Sequence, residues 1–314
     1  MLQTNTQKND VDLIVETLKN KSKRTMTRNI DRVRKQARYF SPFYRDFIHK
    51  LLKKSYLKIV HESRSGYVSS IESGEVYNTL NKRQVCKLST DISDVKVLPH
   101  ELGHAIDFWF GRTNSLTSSV LLSNGQTFRE IFDAEFNEKK EALYKMVMDE
   151  YINIINSNIN ENAYETLMAN MDTYRCLKAI PEKNNSKEER LLRKKLQMKL
   201  YESGFMDTYL QLHLKKCPSI LNKKYSPILD ALSSQYDFEG LSLDYHKYMY
   251  YQEDPGIISE EFFANCFGAE VTSELHYFSK LMEHMPKSFA AFQELFNIIY
   301  THIQSNKHFT DVKI

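Results

Sequence analysis

The sequence has few cysteines and no long apolar run. The four cysteines, at positions 86, 176, 217 and 266, are widely scattered and form no CxxC pair. This spacing argues against a disulfide framework or a cysteine-based zinc site and favours reduced thiols. No apolar run reaches about eighteen residues, so we expect no membrane-spanning helix. The first residues also lack the layout of a signal peptide, which predicts a protein that is cytoplasmic when synthesised.

A strong excess of charge of one sign is also absent. The 43 Lys and Arg residues nearly balance the 40 Asp and Glu residues, and the formal net charge of +3 says little about partners. The chain is 41% hydrophobic and 12% aromatic, which excludes a disordered protein and allows a sizeable core. A length of 314 residues allows one large domain or two smaller ones.

Positive charge is concentrated in residues 19–38, where nine Lys or Arg residues accompany one Asp. Such a segment can contact nucleic acid or an acidic protein surface. Because no aromatic stacking pattern accompanies the charge, we favour a solvated helix that packs Ile30, Val33 and Ala37 inward. We therefore predict a basic amino-terminal helical arm at residues 1–40. We do not expect it to bind nucleic acid, although the basic arm leaves that partner open.

The most informative motif is HELGH, at residues 100–104, which matches the HExxH pattern of zinc peptidases. On a helix, residues i and i+4 share a face, so His100 and His104 can offer two imidazole nitrogens to one metal ion. Glu101 faces the neighbouring side, where it can take a proton from a metal-bound water. The flanking residues are largely apolar, and burying two histidines and a glutamate among them without a metal would be costly.

A catalytic zinc site needs a third protein ligand. The HExxHxxGxxH pattern is absent because Phe110 stands six residues after His104, and the aspartate pattern GTxD is absent too. A glutamate on a second helix remains, and the best candidate segment is SEEFFANCF at residues 259–267. Helical spacing places Glu260 and Glu261 on different faces of that helix. An ordinary surface glutamate at a helix start is the alternative interpretation for either residue.

Three segments, HELGHAID, EEFFANCF and MPKSFAAFQELF, together resemble the lethal-factor family of gluzincin peptidases. The resemblance covers about residues 55–110 and 225–305. It implies one Zn²⁺ per chain, with Glu261 as the third ligand beside His100 and His104.

The same resemblance implies roles for two neighbouring residues. The family has an acidic residue one turn after the ligand glutamate, where it supports a ligating histidine. This sequence has Asn265 there, whose amide oxygen can accept a ring N–H without charge. Asp107 completes the HAID match, and we expect it to anchor the metal helix. We expect Cys266, although near the proposed ligand, to be a small buried residue.

A second resemblance concerns residues 250–261, YYQEDPGIISEE, which are similar to zinc-peptidase-like domains attached to phage minor head proteins. Family members use a tyrosine before the glutamate helix to stabilise the oxyanion, so Tyr250 and Tyr251 are candidates. The phage-type pattern favours Tyr250, whereas the lethal-factor spacing falls on Asp254. Core packing is the alternative for both tyrosines, and we assign His246 a structural role.

We predict an α+β fold: a mostly helical, two-lobed zincin with a small mixed sheet in its upper lobe. Strand-like patterns occur at residues 56–60, 66–68 and 84–88, and helix-like spacing occurs at 127–157, 161–179 and 187–203. The metallopeptidase domain is expected at 41–314, with a helical insert at about 113–222 that covers the cleft or binds a partner.

The predicted function is a zinc-dependent metalloendopeptidase that hydrolyses peptide bonds of a protein substrate, with Glu101 as general base. One alternative is a catalytically silent structural or docking module of a phage particle, although the intact Glu101 argues against it. Another is a toxin-like effector protease. Delivery to a host cell or incorporation into a phage particle is therefore left open, as are the substrate and the oligomeric state.

Overall fold

The structure is a computed structural model that describes most of the chain. The described residues are 3–21, 30–54, 57–60, 66–68, 86–89, 97–110, 115–158, 161–180, 186–205, 217–236, 251, 256–274 and 276–305. Within these ranges, no helix is both long and apolar enough to cross a membrane.

Helices form most of this part of the chain. A 3-10 turn at Pro42–Tyr44 directly precedes the helix that begins at Arg45. The α-helices are α1 (Gln3–Lys21), α2 (Ile30–Tyr39), α3 (Arg45–Lys54), α4 (Val97–Phe110), α5 (Leu116–Ser119), α6 (Phe128–Asn158), α7 (Glu161–Ala179), α8 (Lys187–Glu202), α9 (Cys217–Ser233), α10 (Ile257–Thr272), α11 (His276–His284) and α12 (Pro286–Gln304).

Three short strands accompany the helices: β1 (Leu57–Val60), β2 (Gly66–Val68) and β3 (Cys86–Ser89). Their order is β1-β3-β2. Strand β3 pairs in parallel with β1 and antiparallel with β2. The strands lie at the three segments whose patterns predicted strands.

The predicted α+β class is nevertheless wrong. The described residues are overwhelmingly helical, and the strands contribute only four, three and four residues. Strands this short bury little side-chain surface, so packing between helices, and not a layer of sheet, forms the core. Alternation over a few residues indicated the strands, but it did not indicate how small a share of the fold they make.

The chain divides into two compact units. The first unit comprises Met1–Glu138 and Gly256–Ile314, and the second comprises Lys139–Pro255. Both helices proposed to hold the metal, α4 and α10, belong to the first unit. Helical structure predicted at 127–157, 161–179 and 187–203 is found as α6, α7 and α8.

The amino-terminal helices pack into the first unit. Helix α1 contacts both α2 and α3. Its inward face buries Val11, Ile14, Val15 and Leu18, which follow the spacing of one helical face. In the basic segment, Ala37 is fully buried, as its predicted inward position requires. The side chains of the neighbouring residues 30 and 33 lie outside the described part.

Aromatic side chains hold the glutamate helix α10 in the core. Phe262, Phe263 and Phe267 are fully buried. The ring of Phe262 lies 4.8 Å from that of Phe132 on α6, and the ring of Phe263 lies 5.9 Å from that of Phe292 on α12. Rings at such separations pack well and bury large apolar areas. The aromatic contacts therefore fix which face of α10 is left for polar residues.

A buried carboxylate on α6 caps the start of α12. The residue before α12, Met285, has no side-chain oxygen to accept from the first turn. Glu135 Oε2 accepts instead from the backbone N–H of Ser288 at 2.7 Å and from its hydroxyl at 2.8 Å. Glu135 Oε1 accepts from the N–H of Lys287 at 3.3 Å. The cap satisfies donors that a helix start leaves without partners and places negative charge at the positive end of the helix dipole.

We expect Glu135→Ala to lower the free energy of unfolding by about 1–3 kcal/mol, because it leaves buried donors on α12 without an acceptor. Glu138→Ala is the matched control on the same helix: its side chain is 63% exposed and lies 3.5 Å from Lys287 Nζ. Such a surface pair contributes about 1 kcal/mol or less. Urea unfolding of both variants measures the difference, and equal losses would contradict the capping role.

Candidate metal centre

Helix α4 carries the HELGH motif, as predicted. Pro99 lies in its first turn, where a missing N–H removes no helical hydrogen bond. The apolar face of α4 is buried through the side chains of Leu98, Leu102, Ala105 and Ile106. This burial holds the helix against the core and leaves the histidine face toward α10.

Three ligand atoms converge between α4 and α10. His104 Nε2 lies 3.2 Å from His100 Nε2 and 3.1 Å from Glu261 Oε2, and His100 Nε2 lies 3.3 Å from Glu261 Oε2. A tetrahedral zinc with bonds of about 2.0–2.1 Å separates its ligand atoms by about 3.3–3.4 Å. The triangle therefore has the size of three corners of a tetrahedral zinc site, and the residues present fit the ion.

The structure distinguishes the two adjacent glutamates. The Glu261 side chain is 2% exposed and meets both histidines. The Glu260 side chain is 28% exposed, and its Oε1 lies 3.5 Å from Arg129 Nη2 on α6. One residue turns a helix by about 100°, so the two carboxylates lie on different faces. It is Glu261, the residue predicted as third ligand, that the fold brings to the histidine pair.

Small residues allow α4 and α10 to approach closely at the ligands. A methyl group added to Gly103 would lie 2.7 Å from the Cα of Ala264. One added to Gly268 would lie 3.2 Å from the backbone nitrogen of His100. The sequence motifs had indicated no role for either glycine in the site. Their spacing in the sequence could have indicated that they share a helical face with the ligands: Gly103 lies three residues after His100, and Gly268 lies seven residues after Glu261.

Several carboxylates surround His104. Burial lowers the pKa of His104, but the charge and hydrogen bond of Glu261, with the charges of Glu101 and Asp107, raise it to about 9. Burial raises the pKa of Glu261, but His104 and His100 hold it well below its usual value. Taken by themselves, these side chains form a buried pair of imidazolium and carboxylate. A bound cation can take the place of that imidazolium proton.

Glu101 lies near the ligand triangle. Its side chain is buried on α4, and its carboxylate is close enough to His104 to raise the pKa of that imidazole. On a helix it projects to the side of the ligand face and does not belong to it. Glu101 is therefore close to the ligand triangle without being one of its corners.

Asp107 joins the metal helix to α5. Its Oδ1 accepts from the backbone N–H of Thr117 at 2.7 Å, and its Oδ2 accepts from the Thr117 hydroxyl at 3.4 Å. Burial and then the charge of Glu260 raise the pKa of the Asp107 carboxyl to about 7. Asp107 is not part of the ligand triangle, and its anchoring role stays a prediction.

Two further residues on α10 adjoin the site. Asn265 is half-buried one turn after Glu261, and its support of a ligating histidine stays a prediction. Cys266 is fully buried, and burial followed by the charge of Glu270 raises the pKa of its thiol well above the usual value. A neutral buried thiol matches the structural interpretation given to Cys266.

The tyrosine candidates belong to the second unit. Tyr251 is buried, and its hydroxyl donates to Asp230 Oδ1 at 2.7 Å. This contact gives Tyr251 a structural role inside that unit, and its part in catalysis stays a prediction. Tyr250, His246 and Asp254 lie outside the described residues.

No protein-family model matches the chain, and no curated protein or solved structure matches it either. Among the described residues, His100, His104 and Glu261 are the group of ligating side chains that could hold a metal ion.

Binding of a divalent metal ion should release about one proton near neutral pH. The pKa of His104 is raised to about 9, so its imidazole carries a proton at pH 7.5, and a metal ligand must be neutral. Metal affinity should consequently fall as pH drops below about 9 and level off above it. Calorimetry in buffers of different ionisation enthalpy measures the release. An affinity that does not change between pH 7 and 9 would contradict this assignment.

Proposed function

We propose that this protein is a zinc-dependent metalloendopeptidase. The observation that supports the proposal is the triangle of His100 Nε2, His104 Nε2 and Glu261 Oε2, with sides of 3.1–3.3 Å. Three protein ligands leave the fourth position of a tetrahedral zinc for water or substrate, as in catalytic sites. The motifs that resemble the lethal-factor family point to the same activity.

The proposed chemistry uses four residues of α4 and α10. His100, His104 and Glu261 would hold the ion, which supplies a Lewis acid for the substrate carbonyl and an activated water. Glu101 accepts the proton that the water loses and returns it to the nitrogen of the leaving amine. Asp107 would hold α4 in place through its hydrogen bond with the backbone of Thr117. The assignment of Tyr250 or Tyr251 as the oxyanion donor stays a prediction from the sequence.

A catalytically silent metal-binding module is the competing proposal. Such a module would need the ligand triangle but would gain nothing from a second carboxylate buried next to it. Burying the Glu101 carboxylate near His104 costs free energy through desolvation. A role for Glu101 in proton transfer accounts for that cost, and this favours the enzyme.

The metal assignment predicts one zinc per chain. Glu261→Ala should weaken zinc binding by about 10- to 100-fold or more, because it removes a ligand. Glu260→Ala is the matched control, one residue away on the same helix, and should leave zinc affinity unchanged. Metal analysis after dialysis, followed by competition titration with a chelator, measures both. Zinc retained by Glu261→Ala and lost from Glu260→Ala would move the ligand to the neighbouring residue.

The mechanism predicts that Glu101→Gln lowers peptide hydrolysis by about a hundred- to ten-thousand-fold. The amide has the same shape as the carboxylate but cannot accept the proton, so zinc content and folding should be nearly unchanged. A proteomic cleavage screen with wild-type protein would supply the substrate for the comparison. Equal turnover by wild type and variant would exclude Glu101 as the base. Zinc binding without any wild-type cleavage would favour the silent module.

A further inference from the structure

We infer that Gly103 and Gly268 are positioning residues of the metal centre. The lack of a side chain at these two places lets α4 and α10 come close enough for Glu261 to complete the ligand triangle. This inference rests on the proposed metal site. It adds that the geometry of the site is set by two backbone contacts and not by the ligand side chains alone.

Both glycines lie on the faces that carry the ligands. On α4, His100, Gly103 and His104 follow one another at i, i+3 and i+4, which is a single helical face. On α10, Glu261 and Gly268 are seven residues apart and share a face in the same way. The two helices therefore meet through the sides that hold the ligands, and Gly103 lies between the two histidines.

The contacts also give the register of the crossing. Gly268 lies against the backbone of His100, and Gly103 lies against Ala264. Movement toward the end of α4 thus corresponds to movement toward the start of α10, so the helices run in opposite directions. Glu261 lies one turn before Ala264 on the same side of α10, and its carboxylate reaches His104, with 3.1 Å between their ligand atoms.

The two contacts differ in how much they tolerate. A methyl group on Gly103 would meet the Cα of Ala264 at 2.7 Å and its carbonyl oxygen at 3.1 Å. Both atoms belong to the backbone and cannot turn away, so one helix must shift. A methyl group on Gly268 would meet His100 N at 3.2 Å and His100 Cα at 3.4 Å. There a displacement of a few tenths of an ångström is sufficient.

Metal sites tolerate little displacement of a ligand. Ligand distances in a well-formed site stay within about 0.2 Å of their ordinary values. A shift of α10 away from α4 moves Glu261 directly, because its carboxylate is carried by the displaced helix. Zinc affinity should therefore fall in a graded order, less for Gly268→Ala than for Gly103→Ala.

Replacing either glycine by alanine also changes the stability of its helix, and helix propensity predicts the direction of that change. Glycine is the poorest helix former after proline, and alanine is the best. A glycine inside α4 or α10 makes that helix less stable than an alanine would, and the close packing of the two helices gives a reason for glycine at both positions. Replacement by alanine should strengthen the helix locally while it disturbs the metal centre. A role in folding alone predicts instead that stability falls and metal affinity does not.

The test measures zinc affinity and the visible spectrum of the Co²⁺-substituted protein for wild type, Gly268→Ala and Gly103→Ala. Urea unfolding of the zinc-free proteins is measured in parallel. We expect the zinc Kd to rise by about 10- to 100-fold in Gly268→Ala, and by more in Gly103→Ala. The absorption band of tetrahedral Co²⁺ should weaken in the same order. Ile299→Val, at a buried position on α12, is the control: it loosens the core without adding a methyl group between α4 and α10.

The outcomes separate this inference from the proposed function. If Gly103→Ala does not fold, Gly268→Ala decides, because its methyl group requires only a small shift. Wild-type affinity and spectrum in a folded Gly268→Ala would overturn the inference and leave the zinc site intact. A loss of affinity equal to that of Ile299→Val would also overturn it, since general loosening would then explain the change. A wild-type chain that binds no zinc would overturn the proposed function, and the inference with it.

Discussion

The close contact between α4 and α10 is the interaction on which the rest of the first unit depends. It brings two imidazoles and a carboxylate together in a place where water is largely excluded, although each of these groups prefers water. Aromatic side chains around Phe262 and Phe263 surround α10, and Glu135 fixes the start of α12 behind it. Apolar packing thus provides the free energy, and the backbone approach at Gly103 determines where the polar groups meet.

The charge around His104 explains why a cation suits this place. Glu261, Glu101 and Asp107 all act on the same imidazole, so carboxylates outnumber the positive groups at the triangle. Without a cation, part of this negative charge is balanced only by a proton on His104, and Asp107 is itself pushed toward its neutral form. A divalent ion between the three ligand atoms would relieve both effects. The same charge balance would make metal binding depend on pH.

Much of the site could be predicted from the sequence. The shared face of His100 and His104 follows from helical periodicity, whereas the choice of Glu261 came from the resemblance to the lethal-factor family, and the fold brings these residues together. The partner of Glu135 could not be predicted in this way, since Glu135 and Ser288 are far apart in sequence. The fold class failed for a related reason: short alternating segments reveal strands but not how little of the core they form. The role inferred for Gly103 and Gly268 could not be predicted from the sequence, because it depends on how α4 and α10 cross.

Because the Cys266 thiol is buried, its chemical modification can report when α10 separates from the helices around it. Its thiol lies in the turn after Glu261 and is sealed from solvent, whereas the thiol of Cys176 is exposed. A thiol reagent will therefore modify Cys176 at once but reach Cys266 only when α10 separates from its neighbours. The modification rate of Cys266 then follows the local opening equilibrium of the glutamate helix in the native protein. A ligand that bridges α4 and α10 would slow that rate. The local opening of α10 could therefore be measured without knowing the substrate.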